Sequence, residues 1–381
     1  DRDAVQDAAR YSAVKLFLDR ARRARSGFEL TASNVADVVD ICRLVEGVPL
    51  AVVLAAAWVG MLTPAEIVAE IHESLGFLET DLRDVPRRQR SMRAVFDHSW
   101  NLLTPRQRNV MQALSVFRGG FARQAARRVA GATLHELRAL VDRSLLQRDP
   151  AGRYNLHELL RQYAEEKLDQ SPAAGEAARD RHCAYYVAAL QRWEADLKGP
   201  RQKTALAEME VEIENARIAW DWAAERVQVE RLDQALEGLS EFYWAHWRLY
   251  EAEAACRTAA SRLASAEQLV TTASFDKLKT SSGDGPVLPV PSEAEGSTAC
   301  PERSRRAEGL RVLARILARQ ADFSRETLGR AEPGNQLLRQ SLAILERPEL
   351  AGQDTRAERA FVLLQMGMIA ADFDSHLEQA R

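Results

Sequence analysis

Cysteine is scarce in this chain, with four in 381 residues: Cys42, Cys183, Cys256 and Cys300, far apart and without a C-x-x-C pair. That spacing disfavours both a zinc site and a disulfide framework, and fits a reducing cytoplasm. Long apolar runs are missing too. The one extended stretch, Val48 to Leu62, is interrupted by Pro49 and Gly60 and falls short of the ~20 residues a membrane span needs, so it reads as a buried helix. No basic segment followed by an apolar run opens the chain, and no secretory signal is expected. The phosphate-cradling pattern G-x-x-x-x-G-K-[S/T] occurs nowhere, and no strand carries consecutive acids that could hold a metal. With no group to bind phosphates or activate a nucleophile, the chain is not expected to be an enzyme. His98, His135, His157, His182 and pairs such as Glu165-Glu166 lack metal-ligand spacing and read as structural or solvated.

What is present is an ordinary globular balance, 46% hydrophobic and 28% charged, long enough for two to four domains. The net charge of −3 hides an asymmetry, because Pro86 to Gln170 carries 16 basic against 8 acidic residues. A basic domain inside an acidic chain hints at contact with nucleic acid or phosphate; the plainer account is an Arg-rich solvated surface.

Helical spacing runs through the first 80 residues, with Val14, Phe17, Leu18 and Ala21 on one stripe and Val35, Val38, Val39 and Cys42 on the next. Asn34 is placed to cap the second helix and Gly47 to end it. Pro49 opens a third, and Thr63-Pro64-Ala65-Glu66 is a capping box starting a fourth. A basic linker, Pro86 to Arg90, precedes a helix from about Ser91 to Leu103 and a second capping box at Thr104-Pro105-Arg106-Gln107. Gly119-Gly120 breaks the next helix. Helices at about 122–130 and 134–145 follow, and then 145–148, a turn at Asp149-Pro150-Ala151-Gly152, and 153–156 read as a hairpin. Three helices and a hairpin make a winged helix.

After Gln170 the chain is helical and aromatic, with Tyr185, Tyr186, Trp193, Trp220, Trp222, Phe242, Tyr243, Trp244 and Trp247. Rings spread over successive helices suggest stacked helix pairs. Between Val270 and Arg306 the periodicity fails; four prolines, three glycines and many Ser and Thr predict a disordered insertion, similar to the in-frame translation of a repetitive palindromic element of bacterial genomes. Helical spacing resumes with Leu310, Leu313, Leu317 and Ala321. Near the end, FVLLQMGMIAADFDSHLEQA reads as a helix, a short turn and the start of another, a repeat cut inside its second helix, so the natural protein is expected to continue. Gly367 is the small residue at which two repeat helices would touch, a position that Trp247 fills earlier.

The expected architecture is therefore mainly α: a helical subdomain over 1–82, a winged-helix domain with a small β-hairpin over 86–170, a helical region over 175–269, the insertion at 270–306, and repeats over 307–381.

Gly47-Val48-Pro49-Leu50-Ala51, preceded by ICRLVE and followed by an alanine-rich helix, resembles the G-x-P motif of the NB-ARC and related STAND signal-transduction ATPases. Leu156-His157-Glu158, where the hairpin meets the next helix, resembles their M-H-D motif, with Leu for Met and Glu for Asp. The segment RQRSMRAVFDHSWNLLTPRQRNVMQALSVFRGGF is similar to the winged-helix segment of bacterial members, AfsR-like and LuxR-type regulators among them. The resemblance covers residues 10–170 and implies a lid of the ARC1 type, with a tetratricopeptide-like (TPR-like) array beyond. It implies that Pro49, with Gly47 and Leu50, packs on the adenine of ADP or ATP, and that His157 reaches the β-phosphate and holds an ADP-bound off state. The nucleotide would be held chiefly by an upstream P-loop ATPase domain of the same protein, so this fragment has no cofactor of its own.

On that reading the chain is the regulatory part of a cytoplasmic bacterial signal-transduction or transcriptional regulator, and the array binds a protein or small-molecule inducer. No membrane contact is expected. The alternative is a winged-helix DNA binder, supported by Arg87, Arg88, Arg90, Arg93, Arg123, Arg127 and Arg128. Against it, the helix that would enter the major groove offers Arg138 and Arg143 offset by Glu136 and Asp142. A third reading, an enzyme with a site among the aromatic helices, has no activated acid, base or metal cluster behind it.

Overall fold

The computed structural model describes residues 6–45, 47–73, 92–280, 301–328 and 331–379, in two units, Asp1–His182 and Cys183–Arg381. The expected stripe of Val14, Phe17, Leu18 and Ala21 is the buried face of α1 (Ser12–Ala24). Val38, Ile41 and Cys42 are buried on α2 (Val35–Leu44). Proline at the first position starts α3 (Pro49–Ala57), whose Ala51, Val52, Leu54, Ala55 and Ala56 are all buried. A helix apolar all round must lie inside, and α3 packs on α1 while α2 packs on α4 (Pro64–Glu73). Thr63 and Glu66 exchange the two hydrogen bonds of a capping box. Asn34 stands at the expected cap position but does not cap. Its Oδ1 accepts from Thr31 N and its amide donates to Glu29 O, so the preceding turn has claimed the side chain.

The rest of the first unit comprises α5 (Met92–Asn101), α6 (Pro105–Leu114), α7 (Arg123–Ala130), α8 (Leu134–Asp142) and α9 (Glu158–Asp169). Strands β1 (Gln147–Arg148) and β2 (Tyr154–Asn155) pair antiparallel before α9. Besides the box at Thr104 and Gln107, Thr133 and Glu136 form another at the start of α8. Gly119 and Gly120 take φ of +70° and +88°, swinging Phe121 beside Tyr154, with which it exchanges hydrogen bonds of 2.8 and 2.9 Å. A Cβ on Gly120 would sit 3.0 Å from the Tyr154 carbonyl oxygen, so the close approach also favours glycine. The helices and hairpin stand in the order expected from the sequence. Tyr163 on α9 anchors the core, edge-on to Phe96 and Trp100 at 5.8 and 5.6 Å.

In the second unit the chain continues from the last part of α10 (Pro172–Leu197) through α11 (Gln202–Glu225), α12 (Val229–Ala245) and α13 (Leu249–Thr280). Then come α14 (Pro301–Leu328), α15 (Ala331–Leu345) and α16 (Arg356–Gln379). The turns after α11 and α12 repeat one geometry: Val227 and Trp247 are left-handed at φ +52° and +54°, and the next amides close back on Ala223 O and Tyr243 O at 2.8 and 3.0 Å. α14 packs along both α13 and α15. Its Arg315 and Arg319 both pair with Glu237 of α12, and Arg315 also pairs with Asp233.

Three expectations change here. The ends of the 270–306 segment are helical, since α13 runs to Thr280 and α14 begins at Pro301; 281–300 lies outside the described residues. Residues 271–280 hold no proline or glycine, and extending a formed helix is far cheaper than starting one. For the same reason α16 is one unbroken helix to Gln379, without the expected turn. Gly367 has nothing within 4 Å of an added Cβ. The close approach is instead at Gly238 on α12, where a Cβ would meet the Leu190 carbonyl oxygen at 2.5 Å. Among the described residues no helix is long and apolar enough to cross a membrane.

Candidate functional site

The two short motifs, more than a hundred residues apart in sequence, meet in the first unit. α2 ends at Leu44, and Gly47 closes it: its N–H donates to Cys42 O at 2.9 Å with φ at +68°, a left-handed conformation that L side chains rarely adopt. The chain then reverses into Pro49, which is solvent-exposed at the first turn of α3. Leu50 follows within that helix, and its side chain lies outside the described residues.

Opposite this corner stands His157, the N-cap of α9. Its Nδ1 accepts from the Leu159 amide at 3.1 Å, and its Nε2 lies 3.3 Å from the Val45 carbonyl oxygen. Because a backbone N–H can only donate and a carbonyl can only accept, the arrangement selects the Nε2–H tautomer. One imidazole thus caps α9 and touches the α2–α3 junction. One turn further along α9, Gln162 Nε2 donates to Ile71 O at 3.4 Å, a second link to the helical subdomain.

Glu158, the acid of the second motif, grips Arg161 through hydrogen bonds of 2.7 and 2.8 Å. Arg161 is buried and also pairs with Glu165, which Arg118 reaches at 3.2 Å. Burial alone would raise the Glu158 carboxyl, but the hydrogen bonds and charge of Arg161, with the charge of Arg118, outweigh it and hold the group below the usual carboxylate range. Sequence reading missed Val45, Arg161 and Gln162. The spacing Glu158, Arg161, Glu165 is a visible helix-face signal for the ion pairs, whereas nothing local marks a carbonyl as a partner.

Part of the basic surface is committed. Arg106 donates to Glu136 and to Gly131 O, Arg138 lies 3.7 Å from Asp142, Arg143 reaches Leu102 O, and Arg93 pairs with Glu166. On α7, Arg123, Arg127 and Arg128 are exposed; Arg87, Arg88 and Arg90 lie outside the described residues. His182 is buried against Phe117 and His135 is exposed, while the His98 side chain lies outside the described residues. No group of three His, Cys, Asp or Glu among the described residues could hold a metal.

No family model matches the chain. Over 249 residues it is 35% identical to a protein of Mycobacterium tuberculosis H37Rv whose name places it, provisionally, among HTH-type transcriptional regulators. That match covers 63% of this chain and 28% of the relative, so the chain spans under a third of it. A second protein of the same strain, named only as uncharacterized, is 36% identical over 202 residues, half of this chain and 48% of that one. Among solved structures, a STAND protein with a tetratricopeptide repeat sensor from Pyrococcus horikoshii matches 95% of this chain and 51% of its own at 12% identity. Its TM-score of 0.25 is too low to carry an argument.

Proposed function

We propose that this chain is the regulatory portion of a STAND-type transcriptional regulator driven by ADP and ATP. The first unit reports the nucleotide state, and the TPR-like array of the second takes an inducer or protein partner. The observation that carries the reading is the 3.3 Å approach of His157 Nε2 to Val45 O, which sets the second motif beside the first. Gly47, Pro49 and Leu50 would lie along the base, with the exposed ring of Pro49 as an apolar surface for adenine. The Nε2–H of His157, which faces the Val45 carbonyl at the same corner, is a donor that a β-phosphate oxygen could take in place of the carbonyl. The phosphate-binding loop belongs to the proposed upstream ATPase domain. A relative named as a transcriptional regulator supports the regulatory half of the reading.

The hydrogen bonds that tie Arg106 to Glu136 and Arg143 to Leu102 O, and the acid Asp142 set beside Arg138, favour this over direct groove reading by α8. A DNA-binding face would want those guanidinium groups presented to phosphates and base edges.

The test is a longer protein in which a P-loop ATPase domain precedes residue 1. There His157→Ala removes a charge-assisted hydrogen bond worth about 1.5–3 kcal/mol, so ADP is expected to leave about ten-fold or more faster and the regulator to be active without inducer. An unchanged ADP off-rate measured by stopped-flow with a fluorescent ADP would leave His157 as a helix cap alone.

A further inference from the structure

In the second unit, a cavity of about 380 Å³ opens between α11, α12 and α13. Trp220, Tyr243 and Tyr250 supply its rings; Asp221, Glu251 and Arg217 supply its charges. Trp220 is fixed, with 1% of its surface exposed and its Nε1 donating to Ala255 O at 3.2 Å. Tyr250 lies at the rim, well exposed.

Three acceptor groups converge on this space without a hydrogen bond among the described residues. Tyr243 is 2% exposed, yet its hydroxyl, which lines the cavity, has no hydrogen-bond partner. Glu251 Oε2 is shielded and accepts no hydrogen bond; Arg217 Nη1 stands 3.2 Å away without the alignment of one. Asp221, an exposed residue at this cavity, is the third; partial desolvation lifts its carboxyl above the usual range while Arg217 opposes the rise. Arg217 is itself shared with Glu214 at 3.3 Å, so it is engaged by two carboxylates and the cavity keeps an excess of negative charge.

An anion would meet that excess, and a neutral apolar ligand would leave Glu251 Oε2 and the Tyr243 hydroxyl without a donor. A quaternary ammonium would satisfy the rings but has no N–H to give. A primary ammonium carries three donors, as many as there are acceptor groups, and its charge suits an aromatic wall. The volume lies at the small end of ligand pockets.

We propose that this cavity binds a small organic primary ammonium compound, with its apolar part between Trp220 and Tyr250 and its N–H donors on Asp221, Glu251 and the Tyr243 hydroxyl. The proposal rests on the reading of the array as the sensing half, and gives the inducer a chemical class.

The test is calorimetric titration of the whole chain with phenethylammonium chloride, alongside 3-phenylpropionate and phenethyltrimethylammonium. One saturable site with Kd below about 1 mM is expected for the primary amine, about ten-fold weaker binding for the trimethylated compound, and none for the carboxylate. Asp221→Asn and Glu251→Gln are each expected to weaken the amine about ten-fold, and Tyr243→Phe several-fold. Tyr250→Ala, at an exposed position, tests the aromatic wall without touching the core, and circular dichroism confirms that each variant is folded. No saturation by the primary amine, equal binding of the carboxylate, or a Kd indifferent to the Asp221, Glu251 and Tyr250 changes would overturn the proposal. Such a failure leaves the nucleotide reading separately testable through the ADP off-rate of His157→Ala.

Discussion

Glu158 Oε1 and Oε2 hold Arg161 Nη2 and Nε at 2.7 and 2.8 Å, a two-point grip between residues one helical turn apart. Arg161 is 8% exposed, so the pair works as a brace inside the first unit, beside the N-terminus of α9 that His157 caps. Removing Glu158 leaves a buried guanidinium with Glu165 as its remaining acid. Complete loss of a partner from a buried pair costs about 3–5 kcal/mol; with Glu165 left, Glu158→Ala is expected to cost about 2 kcal/mol, read as a drop in denaturation midpoint.

The same pair fixes a pH dependence. The folded-state pKa of Glu158 is depressed, so its contribution is present above the unfolded value of about 4.3 and is lost as pH falls through the depressed folded value. Thermal melts of the wild type are therefore expected to fall as pH is lowered from about 5 to 3. Glu158→Gln is expected to start lower and to fall less steeply over that window. Parallel curves would show that other carboxylates dominate the acid limb.

Two glycines separate close packing from tolerance. At Gly238 an added Cβ meets the Leu190 carbonyl oxygen at 2.5 Å, and backbone cannot step aside as a side-chain tip would. Gly238→Ala is expected to destabilise by about 1–3 kcal/mol or more. Gly367 has open space around it, and in a helix the same substitution should stabilise by up to about 1 kcal/mol. Guanidinium chloride melts of both variants check the contrast; equal effects would contradict the packing described.

These glycines also mark where sequence reading succeeds and where it stops. Gly47, the Gly119-Gly120 break, the box at Thr63 and Glu66, and the hairpin turn at Asp149 to Gly152 were legible because each depends on a few adjacent residues and one backbone conformation. Gly238 was not, since nothing near it in sequence shows that a carbonyl from α10 lies against it. The candidate site divides in the same way. His157, Gly47 and Pro49 stood out as motif positions, but the link between them runs through the Val45 carbonyl, and any residue carries a carbonyl. At the two ends of the 270–306 segment sequence reading errs in the other direction: absence of an apolar stripe does not exclude helix there, since a formed helix is cheap to extend.

Val227 and Trp247 hold left-handed backbone at φ +52° and +54°, which costs an L residue about 1–2 kcal/mol. Glycine relieves that strain but loses more freedom on folding, so Val227→Gly is expected to stabilise by a net of about 0.5–1 kcal/mol. The change in melting temperature measures it, and a loss would mean that the Val227 side chain contributes more than its strained backbone costs.

The two roles of His157 can be separated within this chain. Its Nδ1 caps α9 by accepting from Leu159 N, while its Nε2 reaches Val45 O. Asparagine at position 157 is among the best N-cap residues but is too short to span to the α2–α3 junction as well. His157→Ala loses both interactions and is expected to cost about 1–2 kcal/mol, whereas His157→Asn should recover about 1 kcal/mol of that through the cap. Hydrogen exchange then reads the link. In both variants the Gly47 and Val48 amides, which bond Cys42 O and Val45 O at 2.9 Å each, are expected to exchange faster, but only His157→Ala should also loosen the first turn of α9. If His157→Asn leaves exchange at Gly47 and Val48 unchanged, the contact with Val45 contributes nothing to holding that corner. The strongest structural support for a switch built on His157 would then be gone.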